Sequence, residues 1–452
     1  MKVHFVEFSF EKWFNTGIAA LSAFLKNEGH EVSLLRTDFQ SKDEDFIAKI
    51  REVRPGLIGF SSMTFQWEGV KKFASLCKVA APDIPIVVGG YHPTFWPDEV
   101  VASPFVDYMV RGEGEDALLE LVTALEKGTD ASGIKNLWMK KPDGTVVKND
   151  VRPPIQDLDK LPFWDRDLFN FAEVMEHTGR GTIFHEKYLM PVAAGRGCPY
   201  TCTYCSNDAL LNLYKGMGRF TRARSVPHFM KELTELCDKY QVKKFEFWDE
   251  IFGVNIPWLK EFAETYSKEM GLPFTAFLRV EQCNYQVLNL LKKANCSMIL
   301  CGVEQGNEEY RRKYLDRKMT NQTIIEAFRR AREVGIETTS LNMIGLPYET
   351  KDLIRETIDL NRQLEADVVC IFIYQAFVGT DLFEICRKEG YLPETDQTKL
   401  VWYENPNMAI KQPSLTHDDL MECYKEFREV QAEMEAKRVA RNSGGVASAN
   451  AV

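Results

Sequence analysis

Cys198, Cys202 and Cys205 stand at the spacing C-x3-C-x2-C, directly after an apolar run over 189–194. With 11 cysteines in 452 residues, chance seldom places three at such close fixed intervals, so the group reads as a metal site. A structural zinc site wants four protein ligands, and no second CxxC or HxxxH pair completes one here. Thiolates on an iron-sulfur cluster fit better, because three of them leave one iron with an open position for a small molecule. The competing reading is a structural cluster or a redox-labile group of thiols.

With Tyr204 just before the third cysteine, the loop resembles the signature of the radical S-adenosylmethionine (SAM) superfamily. The resemblance implies a 4Fe-4S cluster on Cys198, Cys202 and Cys205, with SAM chelating the open iron through its amino and carboxylate groups. It also implies electron transfer to the sulfonium, releasing methionine and a 5'-deoxyadenosyl radical, with an electron donor such as flavodoxin or ferredoxin.

A loop of this kind needs a scaffold, and the chain supplies one from about residue 188 onward. Strands are predicted over 191–194, 244–248, 274–278, 297–301, 338–343 and 368–374, and helices over 226–240, 258–270, 286–294, 321–334, 351–364 and 382–389, with Ser225 and Thr350 as N-caps. Six β/α units in succession predict a barrel or part of one, whose chemistry sits at the carboxyl ends of the strands. At those ends stand the cysteine loop, Asp249-Glu250, Arg279, Glu304, the 342–345 segment and Tyr374-Gln375.

These positions resemble the partial six-unit barrel of radical SAM enzymes. The resemblance implies SAM contacts at Tyr204, Asp249, Arg279, Glu304 and Gly345. Glu304, in Gly302-Val303-Glu304-Gln305-Gly306-Asn307, takes the amino group by a charge-assisted contact. Arg279 takes the carboxylate, or else forms a structural ion pair with Glu281 or Glu304. Gly345, in Ile344-Gly345-Leu346-Pro347-Tyr348-Glu349-Thr350, packs beside adenine. The family commonly has Asp-Asp where this chain has Asp249-Glu250, so either carboxylate could face the cavity. The pair Arg222 and Arg224 is equally compatible with a solvated basic turn and is left without a role.

The first 127 residues also alternate. Strands are predicted over 3–7, 32–35, 57–61, 84–88 and 108–110, with helices over 17–26, 68–79 and 116–125 and a helical stripe at Phe46, Ile47, Ile50 and Val53. The fold class is α/β: an N-terminal Rossmann-like, doubly wound domain followed by a partial (β/α)6 TIM-type barrel. An open sheet of this kind binds ligands at the carboxyl ends of its strands, which points to the loops 8–15, 62–67, 89–95 and 111–115.

Two of those loops, Val87-Val88-Gly89-Gly90-Tyr91-His92-Pro93-Thr94 and Val110-Arg111-Gly112-Glu113-Gly114-Glu115, resemble the cobalamin-binding domain in front of many radical SAM modules. Consecutive glycines allow positive φ and let a large ligand lie on bare backbone. The resemblance implies cobalamin contacts at Thr64, Gly89, Gly90, His92 and Glu113, with the loop Ser62-Met63-Thr64-Phe65 under the lower face of the corrin. A core role for Met63 and Phe65 is the alternative. The better-known D-x-H-x-x-G pattern is absent, so no histidine ligand to cobalt is expected from this domain.

The remaining organisation is a linker over 128–188, with a hairpin around Pro142-Asp143-Gly144, the link Asp157-Leu158-Asp159-Lys160-Leu161-Pro162, and His177 and His185 as packing or surface residues; a barrel over 189–390; and a C-terminal segment over 391–452. That segment holds an amphipathic helix over 416–440, with Leu420, Tyr424, Phe427 and Val430 on one face, and a disordered tail over 443–452. A net charge of -10 and a pI near 5.5 give no electrostatic footprint for nucleic acid. No apolar run is long enough to span a bilayer and no signal peptide is apparent, so the expected location is cytoplasmic. The eight other cysteines follow no pattern, which suits a reducing compartment.

The expected activity is that of a cobalamin-dependent radical SAM enzyme, a methyltransferase acting on an unactivated carbon, or phosphorus, of a small biosynthetic intermediate. The alternatives are a cobalamin-assisted radical rearrangement or cyclisation, and a non-enzymatic cobalamin or redox sensor.

Overall fold

The computed structural model describes residues 1–9, 14–141, 143–177, 189–392 and 410–449. Residues 10–13 of the first loop, Pro142 at the hairpin tip, His185, the side chain of His177 and residues 450–452 lie outside what is described. Among the described residues no helix is long and apolar enough to cross a membrane.

The first sheet has seven strands: β1 (Lys2–Phe8), β2 (Glu31–Thr37), β3 (Leu57–Ser61), β4 (Ile86–Gly89), β5 (Tyr108–Val110), β6 (Leu137–Lys140) and β7 (Val146–Lys148). Their order is β2-β1-β3-β4-β5-β6-β7, parallel through β5 and antiparallel thereafter. The sequence order reverses between β1 and β3, which is where an open α/β sheet leaves a crevice for ligands. Near-continuous apolar strands such as Leu57–Ser61 are buried because helices cover both faces. The hairpin read as part of the linker is the antiparallel edge of this sheet.

The second sheet carries β8 (Leu189–Val192), β11 (Lys244–Phe247), β12 (Phe274–Leu278), β13 (Cys296–Glu304), β14 (Glu337–Ile344) and β15 (Val368–Ile373) in the order β15-β14-β13-β12-β11-β8. All neighbours are parallel, as a partial barrel requires. Between β8 and β11 lies a small antiparallel pair, β9 (Gly195–Arg196) with β10 (Arg222–Ala223). Ser225 and Thr350 cap their helices as expected, accepting from the N–H groups of His228 and Leu353.

One apolar core runs through both sheets, from Val3 and Phe5 to Phe247, Ile344 and Phe427. The C-terminal helix His417–Ala449 covers the β15 edge, burying Leu420, Phe427 and Val430, and the Gln431 amide donates to the Val369 carbonyl at 2.6 Å. Covering an edge strand removes its unpaired backbone groups from solvent. The helix continues through 443–449, into the stretch read as a disordered tail; weak core-forming composition set that expectation, whereas helical backbone there propagates from a packed stem.

Candidate active site between two sheets

The cysteine loop leaves β9 at Arg196 and ends where helix Ser206–Leu213 begins at Cys205. The Cys205 N–H donates to the Cys202 carbonyl at 2.9 Å, closing the turn that holds Cys202 and Cys205. Cys202 is buried and the other two are half-buried. Three side chains direct donors at sulfur: Arg279 Nη1 lies 3.2 Å from Cys202 Sγ, Arg317 Nη1 3.8 Å from the same atom, and Asn207 Nδ2 3.8 Å from Cys205 Sγ. Burial pushes the Cys198 thiol up to about 11, so ligation has to displace a proton. Donors of this kind stabilise thiolates that carry metal, and the loop therefore fits a cluster. Among the described residues no three His, Cys, Asp or Glu side chains converge as a single ion would need; thiolates on separate corners of a cluster stand apart.

Glu304, at the end of β13, sits behind that loop. Its backbone is left-handed, φ +69°, and the β13–β14 register shifts between Gly302 and Glu304. A side chain held in that conformation carries strain, which is stored where a particular direction is needed. Tyr204 Oη donates to Glu304 Oε1 at 3.0 Å. Arg317 Nη1 lies 3.2 Å from Tyr204 Oη and 3.7 Å from Glu304 Oε1. Arg317 was not anticipated from sequence, because it follows helix Glu308–Tyr314 within a charged run and not at a strand end. Its only sequence signal is its place thirteen residues after Glu304.

Arg279 forms the ion pair named above as its alternative. Its guanidinium bonds Glu281 at 2.6 and 3.2 Å, with its carbon 3.9 Å from the centre of the Tyr200 ring. Gly345 lies in a turn braced by Glu349, whose Oε2 accepts from the N–H groups of Gly345 at 2.6 Å and Leu346 at 3.1 Å. Burial pushes that carboxyl up to about 8. Asn342, read as a strand-end residue, is instead buried among Ser340, Asn361 and Cys370.

The Asp249-Glu250 ambiguity resolves in favour of Glu250. Asp249 turns inward, accepting from the Ala194 N–H at 2.9 Å, and burial pushes it up to about 7. It braces the backbone before the cysteine loop and is absent from the cavity wall. Glu250 lines the cavity and accepts from the Gly197 N–H at 3.1 Å.

That cavity, of about 350 Å³, lies between the sheets. Gly89, Gly90, Tyr91 and Thr94 form one wall; Gly195, Arg196, Gly197 and Glu250 form the other. Glu304 does not line this cavity, since it turns toward Tyr204 and Arg317. Gly90 has φ +107°, and a Cβ on it would stand 2.7 Å from the Ser62 carbonyl oxygen; its bareness serves a backbone contact within the domain as well as the cavity. Gly112 serves the other module: a Cβ there would meet Tyr214 Oη at 2.1 Å, and that hydroxyl accepts from the Glu113 N–H at 2.7 Å.

The residues expected to contact cobalamin divide. Gly89, Gly90 and Glu113 line the cavity, whereas Thr64 and His92 do not. Thr64 lies in the short turn Thr64–Gln66, outside that wall. His92 points into its own domain, stacked on Trp67 at 5.2 Å with Nε2 3.5 Å from Glu99 Oε2. Glu113 is engaged by Arg222 and Arg196. Arg222 and Arg224 are buried or nearly so and paired, Arg224 with Glu232 at 2.6 Å, which removes the solvated-turn reading.

Known proteins place this arrangement. Residues 9–122 match the B12 binding domain and residues 192–360 the radical SAM superfamily. Over 400 residues the chain is 29% identical to an uncharacterised methyltransferase of Pyrococcus horikoshii, covering 87% of this chain and 83% of that one. Over 395 residues it is 29% identical to an anaerobic magnesium-protoporphyrin IX monomethyl ester cyclase of Rubrivivax gelatinosus, covering 82% and 66%. In fold it is similar to the radical SAM methyltransferase TsrM of Kitasatospora setae with cobalamin and a 4Fe-4S cluster bound, at TM-score 0.68 and 20% identity over 87% of this chain and 79% of that one. It is similar also to OxsB with aqua-cobalamin and SAM bound, at TM-score 0.71 and 17% identity over 97% and 71%.

Proposed function

The chain belongs to the radical SAM enzymes that carry a cobalamin-binding domain, and from that premise we propose that it is a methyltransferase acting on an unactivated carbon, or phosphorus, of a small molecule. The observation that carries the reading is the shared cavity, whose two walls are the strand ends of the two modules. A group handed from one cofactor to the other's reaction partner has to be presented at short range, and facing walls provide that.

When bound, the cluster supplies an electron to SAM and cobalamin supplies a methyl carrier. The chain's own residues do the rest. Cys198, Cys202 and Cys205 hold the cluster, while Arg279, Arg317 and Asn207 bond the sulfurs. Glu304, oriented by Tyr204 and Arg317, receives the SAM amino group, and the Gly345 turn stands beside adenine. Gly89 and Gly90 present backbone to the corrin. Trp164, Phe220 and Trp248 line the same space and keep bulk water from it, which strengthens every polar contact inside. A flavodoxin or ferredoxin is the proposed electron donor.

The test is turnover of reconstituted enzyme with methyl-labelled SAM. S-adenosylhomocysteine and 5'-deoxyadenosine together, with label in a product, are the expected result. The cyclase relatives favour a second reading, radical cyclisation or rearrangement without methyl transfer, which yields 5'-deoxyadenosine and no S-adenosylhomocysteine.

A further inference from the structure

The cavity wall has an unbalanced charge. Its ionisable carboxylates and guanidiniums are Glu113, Glu115, Glu250, Arg196 and Arg222, three acids against two bases. Arg222 bonds Glu113 at 2.7 Å, and Arg196 bonds Glu115 at 2.7 Å. Both guanidiniums are thus committed to the RGEGE loop. Among the described residues Glu250 makes no contact ion pair: Arg196 and Arg222 act on it only through their charge at longer range, and its hydrogen-bond partners are backbone N–H groups, those of Gly197 and of Glu250 itself.

Glu250 is nevertheless exposed. What it is exposed to is the cavity, which it lines, and burial there raises its pKa. The rest of the wall is largely apolar or aromatic, with Trp164, Phe220 and Trp248 facing the same space. A carboxylate in such surroundings is costly to leave without a partner, and a neutral apolar occupant would strip its water and return nothing. A cation returns both a charge-assisted hydrogen bond and contact with aromatic faces.

We propose that Glu250 is the specificity determinant of this cavity, receiving a cationic nitrogen of the substrate, a protonated amine. The proposal rests on the reading of the cavity as the reaction chamber. SAM brings an ammonium and a sulfonium of its own, so the same chemistry has two sources, which the experiment separates. Anionic substrates are disfavoured at this position, and a neutral hydroxyl or N–H gains a hydrogen bond to Glu250 without the charge attraction that a protonated amine adds.

The holoenzyme, with cluster and hydroxocobalamin in place, is titrated with phenethylamine and with its neutral counterpart 2-phenylethanol, each with and without SAM. The wild type is expected to prefer the amine by about tenfold or more. Glu250→Gln is expected to erase that preference while leaving the affinity for the alcohol within about twofold. Glu250→Asp, shorter by one methylene and still charged, should keep part of the preference and guards against a glutamine variant that fails to fold. A wild type without the preference overturns the proposal, as does Glu250→Gln retaining it or Glu250→Asp leaving it unchanged. If Glu250→Gln weakens SAM as much as the amine, the cation belongs to SAM and the substrate assignment falls. Failure of methyl transfer is read separately, as absence of S-adenosylhomocysteine with the amine preference intact.

Discussion

Glu113 and Arg222 meet face to face across the boundary between the two sheets, with Oε1 2.7 Å from Nη2 and Oε2 3.1 Å from Nη1. The arginine is almost fully buried and the glutamate four-fifths so, their side chains 2% and 17% exposed. Glu113 Oε2 also accepts from the Ile155 N–H at 2.7 Å, while Arg222 Nη1 donates to the Ile155 carbonyl at 2.7 Å. The linker is thereby stitched into the same clasp that sets the two cavity walls opposite each other.

Breaking that clasp from one side should cost more than removing it whole. Arg222→Met leaves Glu113 buried with only Arg196, 3.6 Å away, and is expected to lower stability by about 3 kcal/mol. The double variant Glu113→Leu/Arg222→Met should recover at least half of that, because no buried charge is stranded. Urea denaturation of the wild type, the single variants Arg222→Met and Glu113→Leu, and the double variant checks it. A double variant as unstable as the sum of its parts would refute the pairing.

The proposed cluster is expected to depend on Cys198, Cys202 and Cys205 and on the guanidinium beside them. Replacing Cys198, Cys202 or Cys205 by Ala should abolish the reduced cluster spectrum and SAM cleavage together. Arg317→Met should retain iron but lose SAM cleavage by about a hundredfold, since Arg317 orients Tyr204 and Glu304 and one such donor is worth about 10²–10³ in rate. Iron content and 5'-deoxyadenosine release are the measurements; parental cleavage in the Cys202 variant would sink the assignment.

Cobalamin is expected to bind with its own base displaced and no histidine on cobalt, so bound cob(II)alamin should show no axial nitrogen splitting in its electron paramagnetic resonance spectrum. His92, the histidine of the glycine loop, is stacked on Trp67 and faces Glu99, away from the cavity. His92→Ala should leave the spectrum unchanged, and clear nitrogen splitting that disappears in this variant would reverse the conclusion.

Stability should fall as pH rises between about 5 and 8. Glu349 moves from 4.5 to about 8 and Asp249 from 3.8 to about 7 on burial. A raised folded pKa means the folded state holds the proton that the unfolded chain gives up, so the contribution is full below the unfolded pKa and is lost as pH climbs through the folded one. Each group adds a slope of at most about 1.4 kcal/mol per pH unit. Glu349→Gln and Asp249→Asn should each flatten the curve of chemical-denaturation stability over that window, and a slope unaltered in both variants would contradict the buried protonation.

The chain by itself determined whatever depends on local spacing and period. The cysteine interval, the alternation behind β3 and β12, the helices Asn321–Val334 and Lys351–Leu364, and the order of the two modules all follow from contacts within a turn, a strand or a helix face, which composition and periodicity record. Tertiary structure decided what each strand-end side chain faces. Glu250 and not Asp249 opens into the cavity because the Ala194 and Gly195 backbone claims its neighbour. Glu113 binds an arginine 109 residues away, Arg317 reaches Tyr204 from 113 residues away, and His92 is turned inward by Trp67. Periodicity says that such residues lie at a loop or an edge. The direction of a loop side chain is set by partners distant in sequence, whose positions exist only once both sheets have packed on their shared core.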